Sequence, residues 1–318
     1  MGGAVLILTD GRDVVAPEVI DHLLSGGARV IRVNAEDAVV GVSLRLSGAE
    51  AALTLEHASG LRWSRAEVAT FWHQRGALRW AHPGPAPEAL AQTLNGEWRA
   101  LADFVTAWLA DGPSLGATPA DPGNKLWQLL HARRCGLDIP ETRVCTGPAP
   151  LQALLAQGPV ITKALQDVGA IDIDALWAVP GTQGVADASA LGPRFFPGLF
   201  QARVPKAYDV RVFALDDALH AAAIRPVAGA AASIDYRTQD PGRALRVVPW
   251  APPAPVAEGL RRLMAALGLD AGVIDGVVTP EGRFVFLEVN LSGQFELFAA
   301  ACNLPVAQDI AARLLEGT

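Results

Sequence analysis

The 318-residue chain is poor in several features that would each have fixed its class. It has no run of 18 or more uninterrupted apolar residues, so the sequence predicts no membrane span. Only three cysteines occur, Cys135, Cys145 and Cys302. Their odd number and spacing support neither a disulfide framework nor a cysteine metal site. There is no basic tract, and the net charge of −7 argues against bulk nucleic-acid binding. The opening Met-Gly-Gly-Ala-Val-Leu-Ile-Leu-Thr-Asp lacks a basic segment ahead of its apolar run. It reads as a first β-strand rather than a signal peptide, and a cytoplasmic setting is expected. No G-x-G-x-x-G follows that strand, so the dinucleotide fingerprint is missing. No Ser/His or Cys/His constellation stands out, and no internal repeat is visible.

What is present is an apolar chain, 51% hydrophobic and 19% charged, long enough for two or three cores. Its most informative stretch is Phe284-Val-Phe-Leu-Glu288-Val-Asn290-Leu-Ser-Gly-Gln-Phe295, an apolar strand that breaks at Ser-Gly. Glu288 and Asn290 sit two apart, so a strand presents both on one face. Val273-Ile-Asp275-Gly-Val-Val278 is a second strand, and Thr279-Pro-Glu-Gly282 is a turn. A hairpin folded about Pro280 and Glu281 sets Asp275 opposite Phe286 and diagonal to Glu288. Two acids and an amide then converge, an oxygen set suited to Mg²⁺. A solvated hairpin face is the competing reading, although a carboxylate within so apolar a run is costly unless paired or ligating.

From the N-terminus, Val5–Leu8, a helix over 18–24 and Ala28–Val33 form a β-α-β pattern, implying parallel strands. Residues 41–63 alternate like antiparallel strands, Ala69–Arg75 is a further strand, and 85–110 has helical spacing. The Gly- and Pro-rich segment 111–123 reads as a linker. Asn124, or Asp121, caps a helix opening at Lys125. Pro159–Leu165 is an apolar strand carrying Lys163, which must snorkel or pair with a charge. A hairpin is expected from Ile171 onward about Pro180–Gly184. In Leu199–Ala214, Asp209 and Arg211 share a strand face. An arginine fork suits phosphate oxygens, whereas an Asp–Arg pair is the plain alternative. Ala257–Leu267 is an amphipathic helix with a Gly268 stop, and a terminal helix runs from Pro305 to Leu315.

Taken together, Asp275, Phe-Leu-Glu288-Val-Asn290 and Ser-Gly-Gln-Phe resemble the C-terminal metal signature of ATP-grasp carboxylate–amine ligases. The longer FLEVNLSGQF most resembles the subgroup that macrocyclises ribosomal peptides, the graspetide or microviridin-type synthetases. The resemblance implies an α+β or α/β chain: an N-terminal pre-grasp α/β domain over 1–115, a central ATP-grasp subdomain over 120–200 and a C-terminal one over 201–318. It implies ATP and Mg²⁺ as cofactors, with Asp275, Glu288 and Asn290 on the metal. It puts Lys125 and Lys163 on the nucleotide phosphates, Gln201, Ala202 and Val204 on adenine, and Asp209 on the ribose or the lysine network. Arg211 and Arg237, the latter in Ser-Ile-Asp-Tyr-Arg237, are the implied catalytic cations. The implied partner is a precursor peptide whose Asp or Glu side chains are joined to Ser, Thr or Lys; a homodimer is the expected assembly. One departure is Trp-His-Gln74-Arg75, where the family usually carries paired arginines. The competing functions are a ligase of free amino acids or protein tails, and a non-catalytic nucleotide-binding module.

Overall fold

The computed structural model describes residues 3–48, 50–81, 84, 87–116, 123–165, 171–173, 176–178, 182–227 and 245–318, with backbone alone at 171–173 and 176–178. The chain divides into two compact units: Met1–Ala120 with Leu291–Leu297 and Leu304–Thr318, and Asp121–Asn290 with Phe298–Asn303. Residues 121–290 therefore fall within one unit, and the chain's last 15 residues group with its first 120.

The first unit is built on β1 (Ala4–Thr9), whose six residues are all buried. Helix α1 (Val15–Ser25) returns the chain to β2 (Val30–Asn34), which lies parallel to β1. A second sheet of β3 (Val39–Ser47), β4 (Glu50–His57) and β5 (Arg62–Ser64) is antiparallel. Next, β6 (Val68–His73) runs parallel to β1 on its other side, followed by α2 (Glu88–Ala110) and β7 (Ser114–Leu115). The parallel sheet has the order β2-β1-β6-β7. That central place explains the unbroken apolar run of β1, since a strand covered on both faces needs no alternation. β7 is a small departure from the expected linker: its two residues pair with Phe71 and Trp72. Leu6, Leu8, Leu55, Trp63, Phe71 and Val105 are central to the core. Buried His57 is satisfied there, accepting from the Trp63 indole N–H at 3.1 Å and donating from Nδ1 to the Asp37 carbonyl at 2.8 Å. Arg75 donates to the Ser292 carbonyl at 2.7 Å, tying the 291–297 segment to this unit.

The second unit begins with α3 (Lys125–Arg134), whose Asn124 cap accepts from the N–H groups of Leu126 and Trp127. Then follow β8 (Thr142–Cys145), α4 (Pro148–Leu155), β9 (Val160–Lys163), β10 (Ile171–Ile173), β11 (Leu176–Ala178), β12 (Gln183–Val185) and β13 (Gly198–Ala202). Strands β12-β9-β13-β8 form an antiparallel sheet, and α4 packs on it around Leu151, Leu154, Val160 and Phe200. The expected hairpin is centred earlier than Pro180–Gly184, pairing Ile171 with Ala178; β12 pairs with β9 instead.

The chain then forms β14 (Tyr208–Leu215), β15 (Ala218–Pro226), β16 (Leu245–Pro249), α5 (Ala254–Leu267), β17 (Ala271–Val278), β18 (Phe284–Asn290) and α6 (Glu296–Cys302). The five strands make an antiparallel sheet of order β16-β15-β14-β17-β18. Pairing divides it into two faces. Val210, Val212, Ala221, Ala223, Ile274 and Phe286 are buried on one, while Asp209, Arg211, Asp275, Glu288 and Asn290 share the other.

The β17–β18 hairpin departs from the simple register. Gly276 pairs with Phe286, but Asp275 pairs with Glu288, so Leu287 is an extra residue in β18. Asp275 therefore lies directly across from Glu288, not Phe286. In a regular strand Phe286 and Glu288 would share a face; the bulge lets the ring enter the core while the carboxylate faces the opposite way. Gly276 fits beside it because a Cβ there would come within 2.4 Å of the Phe284 ring and 3.0 Å of the Val285 carbonyl oxygen. Gly276→Ala is expected to destabilise the protein by about 1–3 kcal/mol in urea denaturation through overpacking; an unchanged midpoint would contradict this packing.

Candidate functional site

The polar face of the five-stranded sheet gathers charges that a core would ordinarily exclude. Asp275 and Glu288 stand on adjacent strands in direct register. Two carboxylates so placed repel each other, and the sequence offsets this with cations. Glu288 Oε2 lies 3.3 Å from Lys163 Nζ and 3.4 Å from Lys125 Nζ. Asp275 Oδ1 lies 3.5 Å from Arg211 Nε, and the Asn290 amide donates to Asp275 Oδ2. The Arg211 guanidinium carbon also stands 5.3 Å from the centre of the Phe298 ring, a cation–π contact. All these groups belong to the second unit.

Different elements deliver them. Lys125 comes from the first turn of α3, Lys163 from the end of β9, Arg211 from β14, Asp275 from β17, and Glu288 and Asn290 from β18. The Lys125 and Lys163 side chains are only 9% and 11% exposed, which decides how the apolar strand run is to be read: these ammoniums are paired ions rather than surface charges. Burial alone pushes the Glu288 carboxyl up, but the nearby lysines outweigh it and hold the group below its ordinary value. Burial, joined by the charge of Lys125, pushes Lys163 below its ordinary value against the pull of Glu288.

β18 is the edge of its sheet, and unpaired edge groups must be satisfied elsewhere. Gln128, fully buried, donates from Nε2 to the Val289 carbonyl and accepts from the Val289 N–H, both at 2.9 Å. The Phe286 N–H donates to the Asp138 carbonyl at 2.8 Å. The sequence reading missed Gln128 and Phe298. Gln128 lies three residues beyond Lys125 and so on the same side of the helix, which is the signal that could have found it.

The remaining expected residues divide. Asp209 is on the same sheet face and is paired with Lys206 at 2.8 Å. Gln201 is buried at the end of β13 and donates to Thr142 Oγ1 at 2.9 Å; its Oε1 is a buried acceptor with no partner among the described residues. The Ala202 N–H donates to the Glu141 carbonyl and the Arg203 N–H to the Pro159 carbonyl, in the segment that leads to Val204. Arg237 lies outside the described residues. Among those residues no group of three or more His, Cys, Asp or Glu side chains is placed to hold a metal. The set that does gather is two acids and an amide, all oxygen donors.

No protein-family model matches the sequence, and no curated protein matches it. Solved structures do match. The macrocyclase MdnC from Microcystis aeruginosa, solved with its precursor peptide MdnA, is 28% identical, with 99% of this chain and 100% of that one covered and a TM-score of 0.81. An ATP-grasp ligase of Chryseobacterium gregarium, solved with ADP and a leader and core peptide, is 22% identical over 99% of this chain and 97% of that one, with a TM-score of 0.82. The ligase PsnB, solved with a precursor variant, Mg and ADP, is 19% identical over 100% and 99%, with a TM-score of 0.71.

Glu288→Gln should remove the carboxylate that Lys125 and Lys163 share, costing about 3 kcal/mol of stability. Since the folded carboxyl titrates below its ordinary value of 4.5, its contribution is present above that pH and is lost as pH falls through the lowered value. The wild type and variant should therefore differ most in denaturation midpoint at neutral pH and converge in acid. Equal midpoints at neutral pH would contradict the pairing.

Proposed function

We propose, taking as premise that the chain belongs to the ATP-grasp graspetide macrocyclase family, that it is an ATP-dependent ligase for carboxylate side chains of a precursor peptide. The observation that carries this reading is the convergence of Lys125, Lys163 and Arg211 on the Asp275–Glu288 pair, with Asn290 beside it. An all-oxygen donor set suits Mg²⁺, and the surrounding cations suit phosphate. Asp275, Glu288 and Asn290 would hold the metal, which would offset phosphate charge when bound. Gln201 Oε1, a buried acceptor, fits the amino group of an adenine next to the backbone of Ala202 and Val204; Asp209 would serve the ribose or the neighbouring lysine.

The chain's part in the reaction is placement and charge compensation rather than covalent chemistry. Lys125 and Lys163 exchange their carboxylate partner for phosphate oxygens. Arg211, its guanidinium over the Phe298 ring and beside Asp275, orients the substrate carboxylate and compensates the charge that develops on transfer. Arg237 is assigned the same task by its sequence alone. The carboxylate oxygen attacks the γ-phosphorus, the bond to the bridging oxygen breaks, and ADP leaves with an acyl phosphate formed. A hydroxyl or amine then attacks the acyl carbon, loses its proton and expels inorganic phosphate, giving an ester or amide. Each bond formed removes one water from the peptide. No side-chain nucleophile is required, in keeping with a site made of acids, amides and cations. MdnC was solved with a precursor peptide, which supports a peptide as the substrate here over a free amino acid.

The test is to supply ATP, magnesium and an acidic precursor peptide and to follow ADP by coupled assay and the peptide by mass spectrometry. The reading expects ADP release with stoichiometric loss of water from the peptide. ADP release with free amino acids and none with peptide would contradict it. Arg211→Lys should retain ADP binding yet lose roughly 100-fold in kcat, because a point charge does not replace a bidentate fork; full activity in that variant would remove Arg211 from the assignment.

A further inference from the structure

We infer that Gln128 is a positioning residue for the metal–nucleotide site, acting through the backbone of Val289; this rests on the proposed ligase reading. Val289 is the residue between Glu288 and Asn290. Both of its outward backbone groups are taken by one side chain, at 2.9 Å each, and that side chain is fully buried. A primary amide matches the peptide group because it offers one donor and one acceptor at fixed spacing. The clamp stands one helical turn from Lys125, whose ammonium lies 3.4 Å from Glu288. Two links therefore join α3 to the edge of β18, one to the peptide and one to the carboxylate beside it.

The clamp bears on position because β18 is otherwise weakly fixed at this end. It is an edge strand, paired with β17 on one side only, and it carries a bulge at Leu287 that breaks its register. On its outer side, Phe286 N–H meets the Asp138 carbonyl before the bulge, and Gln128 meets Val289 after it. These two anchor points bracket Leu287 and Glu288. Without Gln128, the Val289 N–H and carbonyl lose their partners, and Glu288 and Asn290 hang on a strand held from one side. Partners that orient metal ligands commonly govern affinity 10–100-fold, and Gln128 does so here through the peptide that joins the two ligand residues.

The experiment compares wild type, Gln128→Met and Leu129→Ala. The first variant keeps length but removes both hydrogen-bonding groups. The second truncates a buried neighbour on the same helix that leaves the clamp intact. Mg²⁺-dependent ADP binding is measured by titration calorimetry across a magnesium series, with chemical denaturation alongside. Gln128→Met should raise the magnesium concentration needed for half-maximal ADP binding roughly 10–100-fold, and Leu129→Ala should leave it unchanged even where it lowers stability. Equal shifts in both variants, or none in Gln128→Met, would overturn the inference. Should Gln128→Met not fold, hydrogen exchange on the wild type decides. The Val289 amide must be protected in the free protein although it points away from the sheet, and rapid exchange there would overturn the inference. Failure of the wild type itself to bind Mg·ADP would sink the ligase reading instead.

Discussion

Two carboxylates set directly across from each other on adjacent strands form an arrangement that a protein must compensate. Asp275 and Glu288 are so placed, on the largely buried face of an antiparallel sheet. Their repulsion is relieved by Lys125, Lys163 and Arg211, each drawn from a different element of the second unit. In purely structural terms this is an expensive way to fill space, since a buried ion pair rarely improves on apolar residues of the same size. The proposed function gives it a reason, a place for a triphosphate and a divalent cation. On the proposed ligase reading the acids would take the cation and the ammoniums the phosphates.

The sheet keeps the apolar and charged faces apart by a single inserted residue. Leu287 shifts β18 by one position, so that Phe286 enters the core and Glu288 turns to the lysines. Gly276 permits the close approach of Phe284 on the partner strand. The same strand is secured on its outer side by Asp138 and Gln128. Fold and site are therefore decided by the same few residues, and changes that disturb the bulge act on both.

Much of this was legible in the sequence. The unbroken apolar run Val5–Leu8, the alternation of 41–63 and the Thr279–Gly282 turn announced the elements, because hydrophobic period and turn chemistry are local properties. The oxygen donors Asp275, Glu288 and Asn290 were legible as breaks in apolar strands, and Lys163 as a charge that needed a partner. The register of the hairpin was not. Pairing about Pro280 and Glu281 sets Asp275 against Phe286, whereas the bulge that corrects it depends on where the Phe286 ring finds room. Gln128 was illegible for a related reason: a glutamine in a helix is unremarkable until the edge of a distant strand arrives beside it. The place of the last helix, Val306–Leu315, with the first unit is likewise a long-range outcome that no local pattern signals.

The central claim is that the Asp275–Glu288–Asn290 group is a magnesium site gripping the phosphates of ATP. It is tested most directly by a crystal structure of the protein with magnesium and a non-hydrolysable ATP analogue. The account predicts the metal on oxygens of all three side chains, with Lys125 and Lys163 turned from Glu288 to the phosphates. Metal and triphosphate bound elsewhere, with both lysines still on Glu288, would contradict it.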